Sequence, residues 1–366
     1  MRRRYPVSRK SQTVTGTRSR RVYVCWAVGL GLLLTAGLIC WGVVLPFRQI
    51  RDIVQRCYDD PNGYGTYDFE VGVAEMGGER EAAWALGLYL RAPKNWAPHR
   101  HVAVWMLGSC GSRTVPLCVR LLTDEDLHVR DQAACALQQV ADERATEALL
   151  VALRDGHASL RQNSLAALAR TGDRRAVEPM MAALSDPEHM VRNSACYAVS
   201  RTGDPRAFAL LVKMLEDPSE FVRSTAAECL GDLGNPRSFD SLKAVLSDPH
   251  WEVRSSAARA LGRACGTRAV DPLLVVLADR DKRVRAATAW ALGTTGDRRA
   301  VTPLLTALDD KESYVRMAIV DALGSLGDPR AINAIQEARS DEDEEVRKSV
   351  EVALDSIRAA QKGKSE

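Results

Sequence analysis

A valine or leucine followed by arginine recurs every 31 residues along most of this chain. The pairs are Val129-Arg130, Leu160-Arg161, Val191-Arg192, Val222-Arg223, Val253-Arg254, Val284-Arg285, Val315-Arg316 and Val346-Arg347. An aspartate stands six residues before each arginine: Asp124, Asp155, Asp186, Asp217, Asp248, Asp279, Asp310 and Asp341. Eight copies in unbroken register exclude coincidence, and a period of this length marks a solenoid or array. At 366 residues the chain exceeds the usual single-domain size. An array escapes that limit because it grows along one axis.

One unit reads from Arg174 to Asp204. Ala176, Val177, Met180, Met181 and Leu184 give a first helix with an apolar stripe. Asp186-Pro187 ends it, because proline cannot continue a helix and restricts the residue before it. Val191, Ala195, Ala198 and Val199 give a second helix, and Gly203 suits the left-handed residue that closes it. Asp204 then caps the next first helix, with Pro205 in its first turn. Similar punctuation returns at Gly172-Asp173, Gly234-Asn235-Pro236, Gly296-Asp297 and Gly327-Asp328-Pro329. A lone hairpin of this kind cannot bury its apolar side, so units must stack. The expected fold is therefore an all-α solenoid over residues 80–359, followed by a short charged tail at 360–366.

The ends of the pattern are degenerate. Residues 80–110 read as one more unit, with Ala83, Leu86, Leu88 and Leu90 in its first helix and Val102, Val104 and Leu107 in its second. Residues 48–79 read as a juxtamembrane segment, helical from Arg48 to Cys57, then a half-repeat between Asp68 and Gly77.

Residues 22–47 hold no charge. About 20 such residues cross a hydrocarbon core of about 30 Å as a helix, and Tyr23, Trp26 and Trp41 suit the headgroup region. The run is longer than a signal peptide's apolar part, and no small-residue cleavage site follows it. We therefore expect a retained transmembrane helix. Residues 1–47 carry eight Arg and Lys, all within 1–21, and no acid. The cation excess predicts a cytoplasmic N-terminus and an extracytoplasmic repeat region. Ala27, Gly31 and Thr35 would suit a helix contact in a homodimer, and chance spacing accounts for them equally well. Net charge is +3, and removing the eight cations of the tail leaves −5 for the rest. A mildly acidic body argues against nucleic acid, whose phosphates need clustered cations.

The sequence Asp217-Pro218, Val222-Arg223, Ala227-Glu228-Cys229-Leu230-Gly231 resembles the HEAT-like repeats of the phycobilisome-lyase type. The resemblance covers roughly residues 80–359. It implies a fold that carries chromophore lyases, an iron hydroxylase and many scaffolds, and fold alone does not choose among them.

The aspartates and arginines, among them Asp186, Arg192, Asp217, Arg223, Asp248, Arg254, Asp279, Arg285, Asp310 and Arg316, are expected to form a structural ladder. The aspartate can accept from N–H groups at the start of the second helix, and the arginine can pair with a carboxylate of its own or a neighbouring unit. Regular recurrence suits a stacking device, whereas a binding site needs local difference. Difference appears five and nine residues past each arginine. The first row runs Cys135, Ala166, Tyr197, Glu228, Arg259, Trp290, Asp321, Val352, and the second Gln139, Arg170, Arg201, Asp232, Arg263, Thr294, Ser325, Ser356. Positions four apart share a helix face, and the resemblance implies that second helices line the inner curve. Tyr197, Arg201, Arg259, Arg263 and Trp290 are of the types that anchor interfaces. They are the candidate site for a protein or peptide partner.

Metal and cofactor chemistry find no support. The related iron hydroxylase uses paired His-Glu dipeptides, and none occurs here. His128, His157, His189 and His250 do not form a matched set. Nine cysteines include no Cys-x-x-Cys and read mostly as small buried hydrophobes. Nucleotide-binding and hydrolase motifs are missing too. The reading is a membrane-tethered protein-binding scaffold; the alternative is a lyase or oxidoreductase.

Overall fold

The computed structural model describes residues 48–56, 58–59, 79–92 and 99–362. The basic tail, the apolar run at 22–47 and the half-repeat between Asp68 and Gly77 lie outside the described residues. Every regular element among the described residues is helical, and the chain is an all-α solenoid. It divides into two compact units, one ending at Cys110 and one running from Gly111 to Glu366. The division falls at Gly111, whose φ of 73° interrupts the helical path.

In the first unit, helix 48–56 buries Ile50, Ile53 and Val54. The helix Glu79–Arg91 buries Ala82, Ala85, Leu86, Tyr89 and Leu90. Ala83 and Leu88, expected in its stripe, are only half-buried. The spacing 82, 85–86, 89–90 is the one that keeps a single face inward, and Tyr89 takes the place expected of Leu88. The helix Arg100–Leu107 buries Val102, Ala103, Val104, Met106 and Leu107. The stretch Arg100–Leu121 is the one described segment long and apolar enough to cross a membrane, and 56% of its apolar window is buried in the protein.

The second unit holds eight hairpins. We number their second helices α1 (Leu127–Val140), α2 (Ala158–Thr171), α3 (His189–Ser200), α4 (Glu220–Asp232), α5 (Trp251–Cys265), α6 (Lys282–Thr294), α7 (Ser313–Leu326) and α8 (Glu344–Lys362). The first helices are shorter, as in Val177–Ala182 between 3-10 turns at Arg174–Ala176 and Ala183–Ser185. Asp186 stops that helix in an extended conformation, as a residue before proline should. At the far end of α3, Thr202 donates to the carbonyl of Val199 and accepts from the N–H of Asp204, while Asp204 accepts from the N–H of Arg206. One Thr-Gly-Asp run thus closes one helix and opens the next. Ala141 occupies the left-handed position that Gly172, Gly203, Gly234, Gly296 and Gly327 take in other units, with φ 54°.

Each second helix packs along the second helix of the next unit and against the first helix of its own. Gly231, Gly262, Gly293 and Gly324, eight residues past their arginines, make this approach close. A methyl on Gly231 would lie 2.7 Å from Cα of Ala260. First helices touch neighbouring units mainly through the following 3-10 turns. Grooves remain between them, about 630 Å³ around Val119, Leu122 and Val151 and about 330 Å³ around Leu150, Pro179 and Ala183. The second helices thus form the closely packed row of the stack, and their exposed side corresponds to the inner face that the HEAT-like resemblance implies.

Candidate partner-binding face

The ladder fixes where the second helices start. Arg161, Arg192, Arg223, Arg254, Arg285 and Arg316 each grip the aspartate of the next unit through Nε and Nη2, at 2.6–3.0 Å. Their partners are Asp186, Asp217, Asp248, Asp279, Asp310 and Asp341. Nη1 of the same arginine donates to the backbone carbonyl of its own unit's aspartate, as Arg192 does to Asp186 at 2.9 Å. Each aspartate also accepts the N–H two residues on, as Asp217 does from Ser219 at 2.9 Å. This is a turn just before the helix, one step earlier than a cap within it. Each rung therefore locks two turns and one interface.

The first rung differs. Arg130 stands 3.6 Å from Asp155, and Nδ1 of His157 lies 3.3 Å from Arg130 Nη2 and 3.0 Å from Asp155 Oδ1. Buried Arg130 Nε lacks a hydrogen-bond partner. The last arginine, Arg347, donates only to the carbonyls of Asp341 and Glu342 among the described residues.

Beyond the ladder, the five candidate residues sit on three helices of the inner face: Tyr197 and the C-cap residue Arg201 on α3, Arg259 and Arg263 on α5, Trp290 on α6. Tyr197 is 57% exposed and Trp290 41%. The arginines divide. Arg259 donates to Glu228 Oε1 at 2.8 Å and to the hydroxyls of Ser255 and Ser256. Arg263 pairs with Asp232 at 3.3 Å. These two brace α4 against α5. Arg201 is exposed, with no side-chain partner among the described residues.

Three residues of this face were missed by the sequence reading. Met190, Phe221 and Tyr314 are 48%, 52% and 53% exposed. They lie two before their arginines and seven before Tyr197, Glu228 and Asp321. Seven residues fall about 20° short of two full turns, so they extend the same stripe toward the helix starts. The spacing is visible in the sequence, but these residues precede the arginine that marks each unit. With Tyr197, Trp290 and Val352, they make six of the ten large apolar residues exposed among the described positions. Trp251 is covered, by the Arg283 guanidinium 3.4 Å from its ring centre.

The family model for HEAT repeats matches residues 79–164, 146–230, 211–287 and 270–355. The chain belongs to the HEAT-repeat family. Similar solved structures include the complex of Kap95p with RanGDP, at 12% identity and TM-score 0.53, covering 90% of this chain and 53% of that one. The CpcE–CpcF complex of phycocyanin lyase from Nostoc sp. PCC7120 is 24% identical, covering 67% and 94%, with TM-score 0.42. Human deoxyhypusine hydroxylase is 25% identical, covering 78% and 99%, with TM-score 0.32. No curated protein matches the sequence.

Within this HEAT array, no group of three or more His, Cys, Asp or Glu among the described residues is placed to hold a metal ion. Cys110, Cys118, Cys196 and Cys229 are buried and form no disulfide among the described residues. Burial pushes the thiols of Cys110 and Cys229 up to about 11, which makes them poor nucleophiles.

Proposed function

We propose that the chain is a membrane-tethered scaffold that holds a partner protein along the inner face of α3 to α7. The observation that carries this reading is the gathering of Met190, Tyr197, Phe221, Trp290 and Tyr314 on one side of the array, exposed and in successive or near-successive units. Large exposed apolar groups in one stripe are held against water at a cost, and they mark surfaces that a partner covers. The ladder leaves this face free, because its charges are spent on stacking. Kap95p, whose structure has a similar fold, binds RanGDP. A lyase and a hydroxylase share the architecture, so fold does not choose between holding and catalysis; the exposed stripe favours holding. Residues 22–47 supply the tether, with the N-terminus cytoplasmic and the repeats on the other side.

A photo-crosslinking residue placed at Tyr197 or Trp290 in native membranes should give one discrete crosslinked species. The same residue at Val275, 78% exposed on a first helix, should not. Equal labelling from both sides would end the proposal. Bound iron or pigment in the purified chain, by metal analysis and absorbance, would favour the enzymatic alternative. Protease accessibility in intact cells tests the orientation.

A further inference from the structure

Arg170 and Arg201 stand nine residues past the arginines of their units, on neighbouring second helices. Asp232 and Arg263 hold the same two positions two units further on, and there the side chains meet at 3.3 Å. A pair of neighbouring positions that carries an ion pair in one place carries two like charges in the other. Both arginines are exposed, and neither has a carboxylate partner among the described residues. Asp232, the acid nearest Arg201 in this row, is committed to Arg263. Glu228 is committed to Arg259 and Ser256. The inner face over α2 and α3 therefore has surplus cations and no acid of its own.

Toward the starts of the same two helices, about 10–16 Å from these cations at about 1.5 Å per residue, lie exposed Met190 and the half-buried amides Gln162 and Asn163, with exposed Tyr197 one turn before Arg201. Amides offer both a donor and an acceptor to an extended backbone, and guanidinium forks favour carboxylates.

We infer that the segment held by the inner face is acidic, with a carboxylate set between Arg170 and Arg201 and apolar side chains over Met190 and Tyr197. This rests on the scaffold reading above and narrows its partner. The chain's own residues 1–21, with eight cations and no acid, are excluded as occupant by like charge. Two second helices are about 8–10 Å apart, so three or four extended residues bridge from one to the next.

A display library of random 12-residue peptides, selected on the full-length chain in detergent, tests the idea. Enriched peptides should combine Asp or Glu with large apolar residues. Their affinity should fall about tenfold or more in R170E/R201E, and should weaken as salt rises. Both substitutions are at exposed positions, so an unchanged helical circular-dichroism spectrum and melting temperature verify the fold. Enrichment of neutral or basic peptides overturns the inference, as do acidic peptides indifferent to R170E/R201E and a selection that enriches nothing. If neutral peptides are enriched and Tyr197→Ala weakens them, the scaffold reading survives and only the acidic partner is lost.

Discussion

Arg223 and Asp248 belong to different repeats and meet fork to fork, Nε to Oδ2 at 2.8 Å and Nη2 to Oδ1 at 3.0 Å. Their side chains are 12% and 7% exposed. Removing one partner of a buried pair strands the other's charge, at a cost of about 3–5 kcal/mol. Asp248→Ala should therefore destabilise the array by about 3 kcal/mol, read by urea denaturation of the full-length chain. Asp155→Ala, at the loose 3.6 Å first rung, should cost clearly less. Equal losses would mean that the rungs do not carry the stacking.

The ladder also sets a pH window. Burial alone would push the Asp248 carboxyl up, but the Arg223 bond, the His250 N–H and the Arg223 charge outweigh it and hold the group below its ordinary value of 3.8. The same balance lowers Asp186, Asp217, Asp279 and Asp310. At Asp281, the Arg283 bond leads and brings the carboxyl down to about 2. A depressed carboxylate binds fewer protons folded than unfolded, so its stabilisation is present above about pH 4 and is lost as pH falls through the folded value. Helicity at 222 nm should hold from pH 7 to about pH 4 and collapse below it. Collapse already between pH 6 and 5 would contradict the account.

Gly231 sets how closely α4 and α5 approach. Helix propensity alone would favour alanine there by about 1 kcal/mol. Its Cβ, however, would sit 2.7 Å from the backbone Cα and 2.8 Å from the Cβ of Ala260, atoms fixed to α5 that cannot swing aside. Overpacking of this kind costs about 1–3 kcal/mol, so Gly231→Ala should lower the melting temperature. Gly156→Ala, with nothing within 4 Å, should not. A melting temperature raised by Gly231→Ala would refute the close approach.

The repeat made the fold legible because stacking demands near-identity: each unit solves the same interface with the same Asp and a Val-Arg or Leu-Arg pair, and most units close with a glycine. The backbone carbonyl bond from each arginine was not legible, since it needs the turn's geometry. The binding face was legible only in part. Tyr197 and Trp290 stand out as aromatic residues in a row that elsewhere holds Ala, Cys, Val or charges. Sequence did not distinguish a free arginine from a committed one. Arg201 and Arg259 look alike until Glu228, 31 residues before Arg259, is seen 2.8 Å from its guanidinium.

That contact changes what alanine at Arg259 reports. Arg259 and Glu228 are 35% and 45% exposed, so solvent screens the pair and its contribution to stability should stay below about 1 kcal/mol. Its larger role is on the surface. While Arg259 is present, the Glu228 charge is neutralised on the face where an acidic segment would lie. Arg259→Ala uncovers that charge and should weaken binding of the selected acidic peptides even though Arg259 does not touch them. Glu228→Gln in the Arg259→Ala background should then restore most of the loss. A double variant that binds no better than Arg259→Ala alone would place Arg259 in direct contact with the partner, and would remove Glu228 from the account of specificity.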